Sequence, residues 1–267
     1  MARPLILYDI PTSSPRTPWS PNPWKARLAL NAKSIQYRTV WVEYPDIAGL
    51  WKRIGLTSTE APAGGPLYTL PVLENPNTGA IVSDSFKIAR YLDEIYPDSI
   101  RLMPNGTEAF QAMFIDVIGE KVGFAILKAF IGSGISLLNP PSREYFRRTR
   151  EEIFGMKLEE ITPEGPERDR AWKEVLEGLT LISKWEAAGK CVFMMGDTPS
   201  FADIVMLSQL QWIKTMVGTG SKEWKDVMVA DGGRWASLYQ VLERWASVDE
   251  GTFMEVAEKG GDCVKGQ

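Results

Sequence analysis

At 267 residues, with 44% hydrophobic and 24% charged side chains, the chain is long enough for two ordinary domains and has a folded protein's composition, not a disordered or fibrous one's. Its 30 basic and 34 acidic residues leave a formal net charge of −4, so no whole-protein field draws in nucleic acid or an anionic membrane. There is no histidine and only two cysteines, Cys191 and Cys263, which removes Ser-His-Asp and Cys-His nucleophiles, the usual zinc sets and a disulfide scaffold together; hydroxyls, carboxylates, amides, lysine, arginine or a group the ligand brings are left to do the chemistry.

Met1 to Pro4 runs directly into a strand-like apolar run, Leu5 to Asp9, without the pattern of a cleavable leader. Nowhere do the roughly eighteen apolar residues of a spanning helix follow one another, so the expected address is cytoplasmic. A Pro/Ser/Thr-rich loop, Pro11 to Pro18, precedes a helical pattern over Pro21 to Lys33 with Trp24, Leu28 and Ala32 on one face. Tyr37 to Val42 alternates as a strand, Leu50 to Leu56 reads as a short helix, and Thr57 to Gly65 has a loop's composition. Strands over Leu70 to Glu74 and Ala80 to Ser83 flank a hairpin connection, Asn75 to Gly79, and a helix from Phe86 stops at Tyr96-Pro97, because the residue before a proline is pushed out of the helical region. The order is β-α-β-α-β-β-α.

Pro97 to Asn105 reads as a linker between a first domain, 1–98, and a second, 106–250. The second reads as helical throughout, over Glu108 to Ile131, Arg143 to Leu158, Glu167 to Ala188, Ser200 to Val217 and Arg234 to Trp245. The basic run Arg143 to Arg150 is broken by Glu144 and followed by Glu151-Glu152, a solvated helix face. Val256 to Gln267, rich in Lys, Glu and Gly, reads as a poorly ordered tail.

Four short elements carry the functional signal, and each also has a purely local explanation. Ser20-Pro21 is a good helix start, with a hydroxyl to cap an orphan amide and a proline that has no amide to waste. Leu70-Pro71 suits the first residues of a strand, Asp84-Ser85 suits another helix cap, and Ser200-Phe201-Ala202-Asp203-Ile204 fits a capping box with Asp in place of Glu. Together, at these positions, they resemble the soluble glutathione transferases over nearly the whole chain. Glu43-Tyr44-Pro45-Asp46-Ile47, the long loop before Tyr68-Thr69-Leu70-Pro71, and Ser83-Asp84-Ser85 resemble more narrowly the fungal serine-type class related to bacterial lignin β-etherases.

The resemblance implies an α/β N-terminal thioredoxin-like domain followed by an all-α helical domain, with glutathione as co-substrate and no metal. It makes Ser20 the donor that holds the glutathione thiolate, with Asn22 as an alternative from the same turn. Leu70, before a cis Pro71, would pair its backbone with the cysteinyl part; Asp84 would take the α-ammonium and Ser85 the α-carboxylate, while Lys52 or Arg53 could reach the glycyl carboxylate or be plain surface charge. Trp19, Trp24, Phe124 and Trp212 are candidates for an acceptor pocket, although for any one of them packing is the better explanation. The implied activity is attack on hydrophobic aromatic electrophiles, extending to ether cleavage, with ligandin-like binding of plant or wood aromatics, by a homodimer with neither nucleic-acid nor membrane partners. A non-catalytic carrier and a structural transferase-like module are the rival readings. Position 20 is not cysteine, which argues against the thiol-exchange chemistry of omega and glutaredoxin-like types.

Overall fold

The computed structural model describes residues 2–60, 64–186 and 191–255. Strand β1 (Leu5–Asp9) is buried along its whole length. It pairs in parallel with β2 (Tyr37–Trp41), Leu5 opposite Tyr37, and antiparallel with β5 (Val72–Asn75), Leu7 opposite Leu73. β5 turns back into β6 (Ala80–Ser83) through Asn75–Gly79, where the Asn75 carboxamide accepts from the Asn77 amide at 3.0 Å and Gly79 supplies a φ of +76°. Two-residue strands β3 (Thr59–Glu60) and β4 (Pro66–Leu67) pair across the segment expected to be loop.

Side chains alternate across the sheet, so each face seeds its own core. Leu5, Leu7 and Leu73 pack with α1 (Pro21–Ala32) and α3 (Ser85–Ile95), whereas Ile6, Tyr8 and Val72 pack with α2 (Ile47–Arg53). This is the thioredoxin-like arrangement expected of the first part of the chain. A helical unit follows, made of α4 (Glu108–Ile118), α5 (Phe124–Gly134), α6 (Pro140–Phe154), α7 (Leu158–Ile161), α8 (Pro166–Glu186), α9 (Phe201–Val217) and α10 (Lys222–Leu242). Buried residues of α1, α3 and α9 belong to one continuous cluster, which joins the two units through a shared apolar core.

Several helix boundaries differ from those expected. The single helix expected over Glu108 to Ile131 is broken into α4 and α5 by a π-helical turn, Gly119–Gly123. There α8 comes so close that a Cβ on Gly178 would lie 2.3 Å from the Lys121 carbonyl oxygen. The helix expected to run from Arg143 to Leu158 ends at Phe154, because Gly155 takes a φ of +66°, and resumes as α7. α10 starts at Lys222 behind a Ser221 cap, well before the expected Arg234, and is interrupted at Ala230–Gly233. Past residue 250 the chain returns to the first unit: β7 (Thr252–Phe253) adds to β2 in parallel, giving the order β6-β5-β1-β2-β7. Just before it, Asp249 accepts from the Thr39 amide at 2.7 Å and from Arg27 at 3.1 Å. The tail from Val256 lies outside the described residues. Among them, no helix is long and apolar enough to cross a membrane.

Candidate functional site

The head of α1, the turn before β5 and the head of α3 converge on a cavity of about 360 Å³, closed on its far side by α4. Ser20 caps α1 by accepting from the Asn22 amide at 3.3 Å, with Pro21 in the first turn. The serine itself is 9% exposed and does not line the cavity; Asn22, two residues on, does. Lys25, one turn further along the same face, lines it as well.

Thr69, Leu70 and Pro71 form a second wall. The Leu70–Pro71 peptide is cis, and neither the amide nor the carbonyl of Leu70 has a hydrogen-bond partner among the described residues. Both backbone groups are therefore available to an extended ligand, in the way a strand edge is.

Asp84 and Ser85 form the third wall, with Phe86 beside them. Asp84 sits at φ +80°, and its Oδ1 accepts from the Phe86 and Lys87 amides, each at 3.0 Å, leaving Oδ2 open. Ser85 opens α3, and neither its amide nor its hydroxyl has a partner among the described residues. A carboxylate beside unpaired helix N-terminal donors can hold an ammonium and a carboxylate side by side, which is what the α-amino acid end of a peptide presents.

Two charged groups of the cavity went unsignalled in the sequence reading. Lys25 is 6% exposed and donates from Nζ to Asn22 Oδ1 at 3.0 Å. Burial pulls its ammonium down to about 8, against the opposing pull of Asp84 and Asp116. Its i+3 spacing from Asn22 on one helix was the available cue. Asp116 reaches the cavity only through the packing of α4, which no local pattern encodes.

The remaining candidates stand elsewhere. Trp19 is buried with its ring edge-on to Phe146, centroids 5.9 Å apart. Trp24 and Trp212 are buried in the core shared by α1 and α9 and do not line the cavity. Phe124 is 56% exposed at the start of α5, and Lys52 and Arg53 are exposed on α2, none of them lining the cavity. An apolar groove of about 420 Å³ does exist, but different side chains build it: Phe110, Met113, Phe114 and Val117 of α4 face Ile182, Trp185 and Met194. α4 thus stands between the two spaces, with Ala112, Ile115 and Asp116 on the polar one.

Residues 19–95 match the family model "Glutathione S-transferase, N-terminal domain", and residues 109–245 match "Glutathione S-transferase, C-terminal domain". The glutathione S-transferase-like protein ustS of Aspergillus flavus is 32% identical over 259 residues, covering 91% of each chain. Among solved structures, a glutathione S-transferase of Ceriporiopsis subvermispora in complex with glutathione, CsGST63524, is 41% identical with a TM-score of 0.89, over 93% of this chain and 100% of that one. GSTFuA3 from Phanerochaete chrysosporium is 41% identical with a TM-score of 0.87 over the same shares.

Proposed function

The chain belongs to the glutathione S-transferase family and uses glutathione as co-substrate, and on that premise we propose that the cavity between α1, Leu70-Pro71 and α3 holds glutathione as a thiolate for attack on hydrophobic aromatic electrophiles. One observation carries this reading: the unpaired backbone of Leu70, the unpaired amide and hydroxyl of Ser85 and the open Oδ2 of Asp84 face a single cavity. The amino-acid end of glutathione binds between Asp84 and Ser85, and its cysteinyl backbone pairs with Leu70. The sulfur then reaches the head of α1, where the partial positive charge of the helix terminus favours an anion.

Asn22 is the preferred donor to the sulfur, because it lines the cavity and its Nδ2 has no partner, while Ser20 holds the turn through its bond from the Asn22 amide. Lysine is only a donor, so its bond to Asn22 assigns the carboxamide oxygen to Lys25 and leaves Nδ2 for the ligand. In the reaction the thiolate, held about 3–3.5 Å from an electrophilic carbon, forms the S–C bond as the leaving group departs with its electron pair. For an aryl ether the leaving group is a phenolate, which then takes a proton from water.

The apolar groove behind α4 supports a second reading, the binding of aromatic compounds without turnover, since it lies across that helix from the glutathione cavity. The protein acts as a homodimer in this proposal, and light scattering showing a monomer at micromolar concentration would remove that element. The test of function is a thermal-shift screen of wood-derived aromatics followed by an assay of glutathione-dependent loss of each binder. Consumption of the parent compound supports transfer; binders that are never consumed leave the carrier reading in its place.

A further inference from the structure

Lys25, Arg27 and Lys33 are cations buried in this protein, and they are not treated alike. Arg27 donates to Asp9 at 2.8 Å, and Lys33 lies 2.8 Å from Asp93 with further acceptors at Tyr96, Ser99 and Ile100. Lys25 has a single neutral acceptor, Asn22 Oδ1, and no carboxylate partner among the described residues. An ammonium withdrawn from water without a paired anion is costly to the fold, and the cost is recovered if an anion arrives with the ligand. The charged groups facing Lys25 are Asp84 at the head of α3 and Asp116 on α4, both lining the same cavity. Two carboxylates there suit an ammonium, and they oppose the ionisation of a thiol held in the same space.

We propose that Lys25 is a positioning residue for thiolate formation: its ammonium fixes the Asn22 carboxamide with Nδ2 turned to the sulfur, and its charge offsets Asp84 and Asp116 so that the sulfur can ionise. This rests on the reading that glutathione binds in this cavity with its sulfur at the head of α1. The sulfur is assigned to Lys25, and the carboxylate is not, because the one bond Lys25 makes goes to the residue at the sulfur end, whereas Ser85 and the α3 terminus already supply unpaired donors for a carboxylate. Donation from a charged group also strengthens the opposite N–H of an amide, so the ammonium acts through Asn22 as well as through space.

The test compares wild type, Lys25→Met, Lys25→Gln and Lys25→Arg in two measurements on full-length protein shown to be folded by circular dichroism. The first follows the ultraviolet absorbance of the thiolate of bound glutathione against pH. The second is the Kd of S-methylglutathione, which keeps every charge except the thiolate. The expected result is that Lys25→Met and Lys25→Gln lower the thiolate fraction near neutral pH about tenfold, bind S-methylglutathione within about twofold of wild type, and are restored by Lys25→Arg. Burial pulls the Lys25 ammonium down to about 8 without ligand, and a neighbouring thiolate would hold it higher, so the wild-type advantage over Lys25→Met should shrink only once pH rises well above about 8. A wild type that ionises bound glutathione while Lys25→Met and Lys25→Gln ionise it equally well overturns the role of Lys25 and leaves the glutathione site standing. Weaker binding of S-methylglutathione in both variants, with an unchanged thiol titration, overturns it in favour of a carboxylate ligand. If the wild type itself leaves the thiol un-ionised, both the proposal and the reading under it fall.

Discussion

Replacing Asp84 separates two tasks that one carboxylate performs. Its Oδ1 caps α3 through the Phe86 and Lys87 amides at 3.0 Å each, while its backbone is held at φ +80° and ψ +130°, outside the left-handed helical well, where glycine rests at lower cost than any residue with a Cβ. Asn keeps the acceptor and bears the same backbone strain as Asp, so Asp84→Asn should unfold within about 0.5 kcal/mol of wild type. What it lacks is the charge that holds the α-ammonium of glutathione. A hydrogen bond to a charged group contributes about 1.5–3 kcal/mol, and at about 1.4 kcal/mol per decade its loss raises the Kd roughly 10- to 140-fold. Asp84→Ala loses the cap too and keeps the positive φ, which removes a further ~0.5–2 kcal/mol of stability. Asp84→Gly also loses the cap but relieves the backbone, and should fall between the other two. Urea unfolding followed by tryptophan fluorescence measures stability, and titration calorimetry measures affinity. Asp84→Asn binding glutathione like wild type, or losing as much stability as Asp84→Ala, would refute the division of labour.

Two further changes probe the framework around the site. Burial pushes the Asp249 carboxyl up, but its bonds from Thr39 and the Arg27 guanidinium outweigh that and hold it below the ordinary value. Its stabilising contribution is therefore complete above the unfolded carboxylate value near ~4 and is lost as pH falls through the depressed one. Asp249→Asn should be less stable than wild type in neutral urea melts, by about 1 kcal/mol, and the gap should close only below about pH 4; a gap that persists at lower pH contradicts this. Gly178→Ala places a methyl against the Lys121 carbonyl at the π-turn, and overpacking of this kind costs about 1–3 kcal/mol. Stability unchanged in the same melts would mean that the turn yields freely.

The elements most legible in the sequence are those whose signal is local. Pro21 behind Ser20, the Asn75–Gly79 turn and the Ser200–Asp203 box, in which Asp203 accepts from the Ser200 amide at 2.8 Å, each place a helix start or a hairpin to within a residue or two. Leu70-Pro71 and Asp84-Ser85 were recognisable by their spacing within a known pattern, and the fold brings them to one cavity. What escaped depends on contacts between distant segments. The π-turn at Gly119–Gly123 answers to Gly178 on another helix, and the two-residue β7 exists only because β2 has an open edge. Trp24 and Trp212 illustrate the same limit: aromatic type says that a side chain buries area, but helix phase decides whether it faces a core or a pocket.

The direct test of the central claim is the ionisation of bound glutathione, followed by thiolate absorbance against pH in wild type, Asn22→Ala and Ser20→Ala. The thiol should titrate about one to two units below the ~8.5 of a free thiol in wild type and return most of the way in Asn22→Ala. In Ser20→Ala the depression should largely survive, with a stability loss of about 0.5–2 kcal/mol from the missing cap. Bound glutathione that titrates like the free tripeptide in wild type would contradict a thiolate site at the head of α1.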